Sequence, residues 1–271
     1  MRKNYEIRKK CVLCESKKLK RVLNFNKTPL ANSYVKSIKV KENYYPLVCI
    51  LCLDCKHLQL QHIVKPKVIF EDYMYVSGTS QVLVNHFQNY FKKIKKKLHL
   101  NKSKDKILDI ACNDGTFLNF FKKDKFKNVV GIEPAKNLRI LNKKKKIDIN
   151  TAFFNFKNSF YFKKKYKEFK VITANNVFAH VPDLKDFALG VKNILAKDGL
   201  FIFEVSYLKD VIKKAKNYFS KILDEGKELK IITVGSKGND QLKRTYGEKI
   251  IENISFKESK NVNYFDADKV G

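Results

Sequence analysis

Arginine is scarce in this chain. Among 57 basic residues only five are Arg, at positions 2, 8, 21, 139 and 244. Nucleic-acid and phosphate sites lean on the bidentate guanidinium fork, so the formal charge of +30 does not by itself indicate a nucleic-acid partner. The Lys excess accompanies abundant Asn, Ile and Phe, residues that share A/T-rich codons. Lysine runs such as 143–146 and 163–165 fall where exposed helices and loops are expected. The pattern reads as a compositional bias carried on solvated faces, although it would still attract an acidic small molecule such as a nucleotide.

Other absences narrow the class further. No apolar run approaches the ~18 residues of a membrane span. The start, Met1-Arg-Lys-Asn-Tyr-Glu6, is followed by no apolar segment of the secretory kind, so a cytoplasmic location is expected. Thiols stay reduced there, and paired cysteines are expected to bind metal or do redox chemistry, not to form disulfides. There is no Gly-x-Gly-x-x-Gly, which argues against a nicotinamide dinucleotide. At 271 residues and 44% hydrophobic content, the chain is long enough for one large domain or two small ones with a real core.

What is present begins with two Cys-x-x-Cys pairs, Cys11/Cys14 and Cys52/Cys55. Two intervening residues let one turn present two sulfurs to one ion, and two such turns complete a tetrahedral zinc site. Cys49 also stands three residues before Cys52. It follows Pro46-Leu-Val48, which reads as strand, so Cys52/Cys55 is the expected ligand pair. Buried unligated cysteines and a redox dithiol are the competing readings. His57 and His62 are expected to pack or face solvent.

The organisation expected is a loop-rich metal module over residues 1–66, a helical connector over 67–105, a core over 106–213 and a further α/β segment over 214–271. In the connector, Val82, Val84, Phe87, Phe91, Ile94 and Leu98 have helical spacing. In the core, strands are expected at 107–111, 129–133, 147–150, 171–174 and 200–205. Helices are expected from Thr116, over 137–142 and after Pro182-Asp183. The last should carry Leu184, Phe187, Leu189, Val191 and Ile194 on one face and stop at Gly199. Repeated βα units predict an α/β fold with a doubly wound parallel sheet, whose loops share one edge.

The sequence Lys106-Ile-Leu-Asp-Ile-Ala-Cys-Asn-Asp-Gly115 resembles the first strand and cofactor loop of an S-adenosylmethionine (SAM) methyltransferase. Ala111 and Asn113 stand where such loops often have Gly, and Gly115 remains for close backbone approach. Asp109 could orient the ammonium end of SAM. Glu133, ending the second strand before Pro134, could accept both ribose hydroxyls as in dinucleotide folds. Asn113, Asp114, Gly115 and Asn175, which ends the fourth expected strand, complete the expected cofactor site.

The whole stretch from residue 11 to about 210 resembles the zinc-containing, SAM-dependent C-methyltransferases of nucleotide-linked deoxysugars. The resemblance is carried by Cys11-Val-Leu-Cys14, Thr28-Pro-Leu-Ala-Asn-Ser33, Tyr45-Pro-Leu47, Cys52-Leu-Asp-Cys-Lys-His-Leu-Gln-Leu60 and Tyr73-Met-Tyr-Val-Ser-Gly-Thr-Ser80. Further matches are the cofactor loop, Gly131-Ile-Glu-Pro-Ala135, Ile172-Thr-Ala-Asn-Asn-Val-Phe-Ala-His-Val-Pro-Asp183 and Phe203-Glu-Val205. It implies a Rossmann-like core, SAM and zinc as cofactors, and a nucleotide-sugar substrate. The proton next to its ketone is removed before the enolate takes the methyl group. It also implies that Tyr75 and His180 line the substrate cavity.

The family continues with a Tyr-His-Glu-His segment that supplies its principal base, then a further sugar-nucleotide domain. Neither follows here, and no His occurs after His180. From about residue 214 the chain instead resembles part of the gamma subunit of bacterial rotary ATP synthase, through Ile231-Ile-Thr-Val-Gly-Ser-Lys-Gly238, Leu242-Lys-Arg-Thr-Tyr-Gly247 and Asn263-Tyr-Phe-Asp-Ala-Asp-Lys-Val-Gly271. Val-Gly-Ser-Lys-Gly lacks P-loop spacing and is not read as a nucleotide site. The expectation is a chimera: a methyltransferase core, incomplete at its C-terminus and weakly active or inactive. The alternatives are a non-catalytic zinc- and SAM-binding module, or a fused gamma fragment with ATP synthase subunits as partners.

Overall fold

The computed structural model describes residues 4–206, positions 36 and 38 excepted. The gamma-like tail, with its expected strands at 230–234 and 249–254 and helix at 240–246, lies outside the described residues. The described residues divide into two units, one built from 7–28 and 45–62, the other from 4–6, 29–44 and 63–205.

The first unit is more strand-rich than its sequence suggested. Its strands β2 (Leu19–Pro29), β3 (Tyr44–Cys52) and β4 (Leu58–Leu60) form a three-stranded sheet in the order β2-β3-β4, while β1 (Tyr5–Ile7) and β5 (His62–Val64) make a two-stranded pair whose residues fall mostly in the other unit. Only β3 has clear alternation, burying Tyr45, Val48, Ile50 and Cys52. β2 is mostly exposed, with Lys, Arg, Asn and Thr spread along it, so no period-two apolar signal marks it. Cys49 lies inside β3, opposite Leu60 on antiparallel β4, as its strand-like context predicted.

The second unit opens with α1 (Pro66–Phe70), whose Pro66 occupies the helix start, where no N–H is needed. A short 3-10 turn at Ser77–Thr79 leads into α2 (Gln81–Leu98). The Ser80 side chain caps α2 by accepting from the Leu83 amide, and His99 closes it in the left-handed conformation. Phe87, Phe91 and Ile94 form its buried stripe; Val82, grouped with them by spacing, is 81% exposed in the first turn.

Alternating elements follow: β6 (Lys106–Ile110), α3 (Thr116–Lys123), β7 (Asn128–Ile132), α4 (Arg139–Lys144), β8 (Asp148–Asn150), α5 (Phe156–Tyr166), β9 (Phe169–Asn175), α6 (Leu184–Ile194) and β10 (Leu195–Glu204). The sheet order is β10-β9-β6-β7-β8, with every pairing parallel. The chain thus winds outward from β6 in one direction, then returns and winds outward from β9 in the other. The crevice between β6 and β9 is the switch point at which ligands of such sheets bind.

Aromatic packing fills one side of this sheet. Phe121 meets Phe91, Phe117 and Phe126 edge-on, with centroids 4.8, 5.5 and 5.4 Å apart, contacts worth about 0.5–1.5 kcal/mol each beyond area burial. On the other side Phe162, Phe169, Phe187 and Ile194 pack with Leu108, Ile110 and Ile172.

Two expectations are corrected here, and one helix is added. Gly199 does not end a helix: α6 stops at Ile194, and Gly199 sits within β10 where the register with β9 shifts between Leu195 and Leu200. Leu189, expected inward, is 40% exposed. The Phe-rich stretch after β8 is α5, started by an Asn155/Asn158 capping box; Asn supplies the box in place of the usual Ser or Thr and Glu.

Candidate functional site

The cysteine pairs converge. The sulfurs of Cys11, Cys14, Cys52 and Cys55 all lie within 4.8 Å of one another, with Cys11–Cys55 at 3.5 Å and Cys14–Cys52 at 3.6 Å. A tetrahedral ion with Zn–S bonds of ~2.3 Å needs sulfur separations of about 3.8 Å, so the four thiols fit zinc. The two turns are built alike. The amide of residue i+4 donates to the carbonyl of the first cysteine, Glu15 to Cys11 and Lys56 to Cys52, both at 3.0 Å. The first cysteine's own amide donates to residue i+5, Cys11 to Ser16 and Cys52 to His57. Glu15 and Lys56 both take positive φ, 59° and 62°. Burial raises the Cys52 thiol, but the backbone amides of Cys55 and Asp54 and the neighbouring thiols outweigh it and bring it down to about 6. Cys49, raised by burial, stands outside the cluster, as do His57 and His62.

The cofactor loop has the backbone of a glycine loop without its glycines. Ala111, Asn113 and Gly115 have φ of 54°, 53° and 73°. Non-glycine residues held there cost about 1–2 kcal/mol each, so the surroundings must enforce the shape. Asn113 supplies much of that. Its amide donates to Glu133 Oε2 at 2.7 Å, its side chain donates to the Tyr75 carbonyl at 3.0 Å and accepts from the Ser77 amide at 2.9 Å, and its carbonyl accepts from Asn142 at 2.7 Å. Asp114 is likewise engaged: its carboxylate takes the Thr116 amide at 3.2 Å, the Thr116 hydroxyl at 2.7 Å and Lys145 Nζ at 2.8 Å. These two side chains therefore shape the loop rather than reach outward from it. Segment 73–79 lies directly on the loop, since a Cβ on Gly78 would sit 2.6 Å from Asp114 Oδ2.

Glu133, 6% exposed, accepts from Asn113 and from the Ala135 amide at 2.8 Å, one amide on each oxygen. Burial raises its pKa, and the amides of Ala135 and Asn113 offset part of that rise. A carboxylate has about four acceptor positions, so two remain for a pair of hydroxyls. Asp109 is 3% exposed and accepts from the Thr173 hydroxyl at 2.7 Å. Burial pushes it up to about 7, with the negative charge of Glu133 adding to the effect and the Thr173 bond opposing it. Asn175, the last residue of β9, keeps both side-chain polar atoms buried, and among the described residues neither has a hydrogen-bond partner. Unsatisfied buried amide groups cost stability, and at the carboxyl end of a strand beside the switch point they fit a polar ligand.

Tyr75 is 41% exposed, its backbone fixed to the loop by Asn113. His180 ends a 3-10 turn, Phe178–His180, that follows β9, its amide held by the Val177 carbonyl at 2.8 Å. Although exposed by surface area, its ring has enough protein around it for desolvation to lower its pKa. Sequence reasoning missed Asn142, Lys145 and Thr173, which brace the loop and Asp109. It also missed a close pair, His86 Nε2 and Glu204 Oε2 at 2.6 Å. These contacts span 29 to 118 positions and leave no local signature.

Comparison with known proteins agrees with this geometry. Residues 11–70 match the family described as a zinc binding domain. Residues 84–263, more than half of the chain, match the family described as a methyltransferase domain. The chain belongs to the methyltransferase family. Its core is of the SAM-dependent, Rossmann-like type, preceded by a zinc-binding cysteine cluster. C-methyltransferase NovU of Streptomyces niveus is 27% identical over 217 residues, which is 79% of this chain and 51% of that protein. The ATP synthase gamma chain of Pelagibacter ubique (strain HTCC1062) is 71% identical over 62 residues, 23% of this chain and 21% of that one. The chain thus spans about half the length of the first and a fifth of the second. The plantazolicin methyltransferase BpumL, solved with S-adenosylhomocysteine (SAH) and a pentazolic desmethylPZN analog, superposes with a TM-score of 0.41 at 14% identity, covering 59% of this chain and 55% of that one. Among the described residues no helix is long and apolar enough to cross a membrane.

Proposed function

We propose that the methyltransferase core moves a methyl group from SAM to the carbon beside the ketone of a nucleotide-linked keto-deoxysugar. The observation that carries this reading is the four-cysteine cluster and the methyltransferase core together in one chain, the combination by which it resembles sugar C-methyltransferases. In this reading Cys11, Cys14, Cys52 and Cys55 hold a structural zinc. Glu133 takes the ribose hydroxyls, Asn175 and Asp109 face the amino-acid end of SAM, and Gly115 lets the loop backbone come close. SAM, when bound, supplies the methyl group and leaves as SAH. Asn113 and Asp114, assigned to the cofactor from sequence, act instead by holding the loop. Tyr75 and His180 face the sugar from the loop's covering segment and from the end of β9.

We infer from the residues themselves that the gamma-chain likeness lies in 214–271, a stretch that overlaps the end of the methyltransferase match at residue 263. The matches to NovU and to the gamma chain together are about as long as the chain. A continuous genomic read across codons 205–225 tests whether one gene encodes both parts.

The deciding experiment incubates the chain with SAM and a panel of nucleoside-diphosphate keto- and hydroxy-sugars, following SAH and a mass gain of one methylene. Methylation of the keto-sugars alone supports the reading. Product only with non-sugar acceptors, or on oxygen, overturns it.

A further inference from the structure

His86 and Glu204 are 118 positions apart in sequence, yet their side chains meet at 2.6 Å. His86 lies in the second turn of α2, the helix that begins where the loop-covering segment ends. Glu204 is the last residue of β10, paired in register with Asn175, the strand end whose buried amide has no partner among the described residues. One turn beyond His86, Tyr90 stacks on its ring at 6.0 Å and on Phe117 of α3 at 5.2 Å. The Tyr90 hydroxyl is raised by burial first and then by the charges of Asp109 and Glu204, so all three share one neighbourhood. The pair therefore stands at the carboxyl edge of the parallel sheet, where ligands of such folds bind.

It is also open to solvent, with side-chain exposures of 47% for His86 and 37% for Glu204. A surface pair of this kind stabilises a fold by only about 0–1 kcal/mol, which gives a weak reason for it to be structural. A carboxylate on one ring nitrogen fixes the tautomer and leaves the other nitrogen as a proton acceptor. Glu204 holds Nε2; among the described residues no hydrogen bond is made to Nδ1.

We infer that His86 is a proton acceptor of the methyl-transfer site, held in tautomer and orientation by Glu204 as a positioning residue. The inference rests on the keto-sugar reading above. The carbon–hydrogen bond next to the ketone breaks, its electron pair enters the enolate, and the proton passes to Nδ1. The ring then returns it to solvent. Transfer of the methyl group breaks the sulfur–carbon bond, whose electrons stay on sulfur.

The test isolates the proton step. The full chain, loaded with SAH so that no methyl transfer can occur, is mixed in heavy water with a nucleoside-diphosphate 4-keto-6-deoxyhexose. Deuterium uptake is followed by mass spectrometry, and binding of SAH and of the sugar nucleotide by calorimetry. His86→Gln keeps a donor for Glu204 but cannot accept a proton. It is expected to slow uptake ~100-fold or more with SAH affinity unchanged. Glu204→Gln keeps an acceptor for Nε2 but removes the charge, and should shift the pH dependence of uptake; the facing titratable groups are Glu204, Tyr90 and Asp109. Equal uptake in His86→Gln and parent overturns the inference. Absence of uptake in a parent that binds the sugar nucleotide also overturns it, while leaving the substrate reading intact. Absence of sugar-nucleotide binding removes the substrate reading and the inference with it.

Discussion

Thr173 donates its hydroxyl to the Asp109 carboxylate at 2.7 Å, joining two neighbouring parallel strands, β9 and β6, where the order of the sheet reverses. The two residues are register partners, so the bond lies straight across the ladder. It places a buried acid at the floor of the crevice expected to hold SAM. It also makes that acid a source of pH dependence.

The sign follows from linkage. An unfolded Asp titrates near ~3.9, whereas burial raises folded Asp109 to about 7. Below pH ~4 both states are protonated. From there to about 7 the native state holds the extra proton, so stability falls as pH rises, and above 7 the loss is complete. Asp109→Asn should lack this slope while keeping an acceptor for Thr173. Denaturant titrations of the chain without SAM should show the parent losing on the order of 2–4 kcal/mol relative to the variant between pH 4 and 7. Parallel curves would mean that Asp109 is solvated in solution.

The metal cluster predicts a contrast within β3. Cys52→Ser removes one of four converging sulfurs and should release zinc and unfold the sheet of 7–28 and 45–62, because structural zinc binding is coupled to folding. Cys49→Ser lies three residues away, outside the cluster, and should keep one zinc per chain. Metal analysis after gel filtration distinguishes the two, and a chelator should reproduce the Cys52→Ser effect on the parent.

At the cofactor loop, Glu133→Ala should weaken SAM binding by about 2–4 kcal/mol, through loss of charge-assisted bonds to hydroxyls. It should also lower thermal stability, since the carboxylate accepts from the amides of Asn113 and Ala135. Glu133→Gln retains acceptor capacity on one oxygen and should fall between. Calorimetry showing Ala and parent equal would remove Glu133 from the site.

Gly115→Ala should damage the same loop by a different route. The position has φ of +73°, and an added Cβ would lie 2.3 Å from Asn142 Oδ1 and 2.7 Å from Ile147 Cδ1. Asn142 is fully buried and holds the Asn113 carbonyl. A cost of about 1–3 kcal/mol is expected, read as a lower unfolding midpoint together with weaker SAM affinity. Unchanged values for both would show that the loop adjusts freely.

Much of this protein was legible in one dimension. The two Cys-x-x-Cys pairs, the strand at Cys49 and the sequence of βα units are local patterns, fixed by turn geometry and by periodicity. They led directly to the cysteine cluster and to the parallel sheet. The place of Glu133 at the end of a strand was legible in the same way, because a strand stops before Pro134. What the sequence could not disclose is what depends on distant partners. Asn113 and Asp114 read as cofactor contacts, but only the fold brings Ser77, Asn142 and Lys145 within reach to occupy them. Positive φ at Ala111 and Asn113 is imposed by that bracing, against the preference of the residues themselves. Gly199 read as a helix stop, and sheet pairing with β9 made it part of a strand. Thr173 against Asp109 and Glu204 against His86 exist because the sheet order sets β9 beside β6 and brings the end of β10 to α2. Local chemistry determined which elements form, and long-range packing alone decided which side chains face one another.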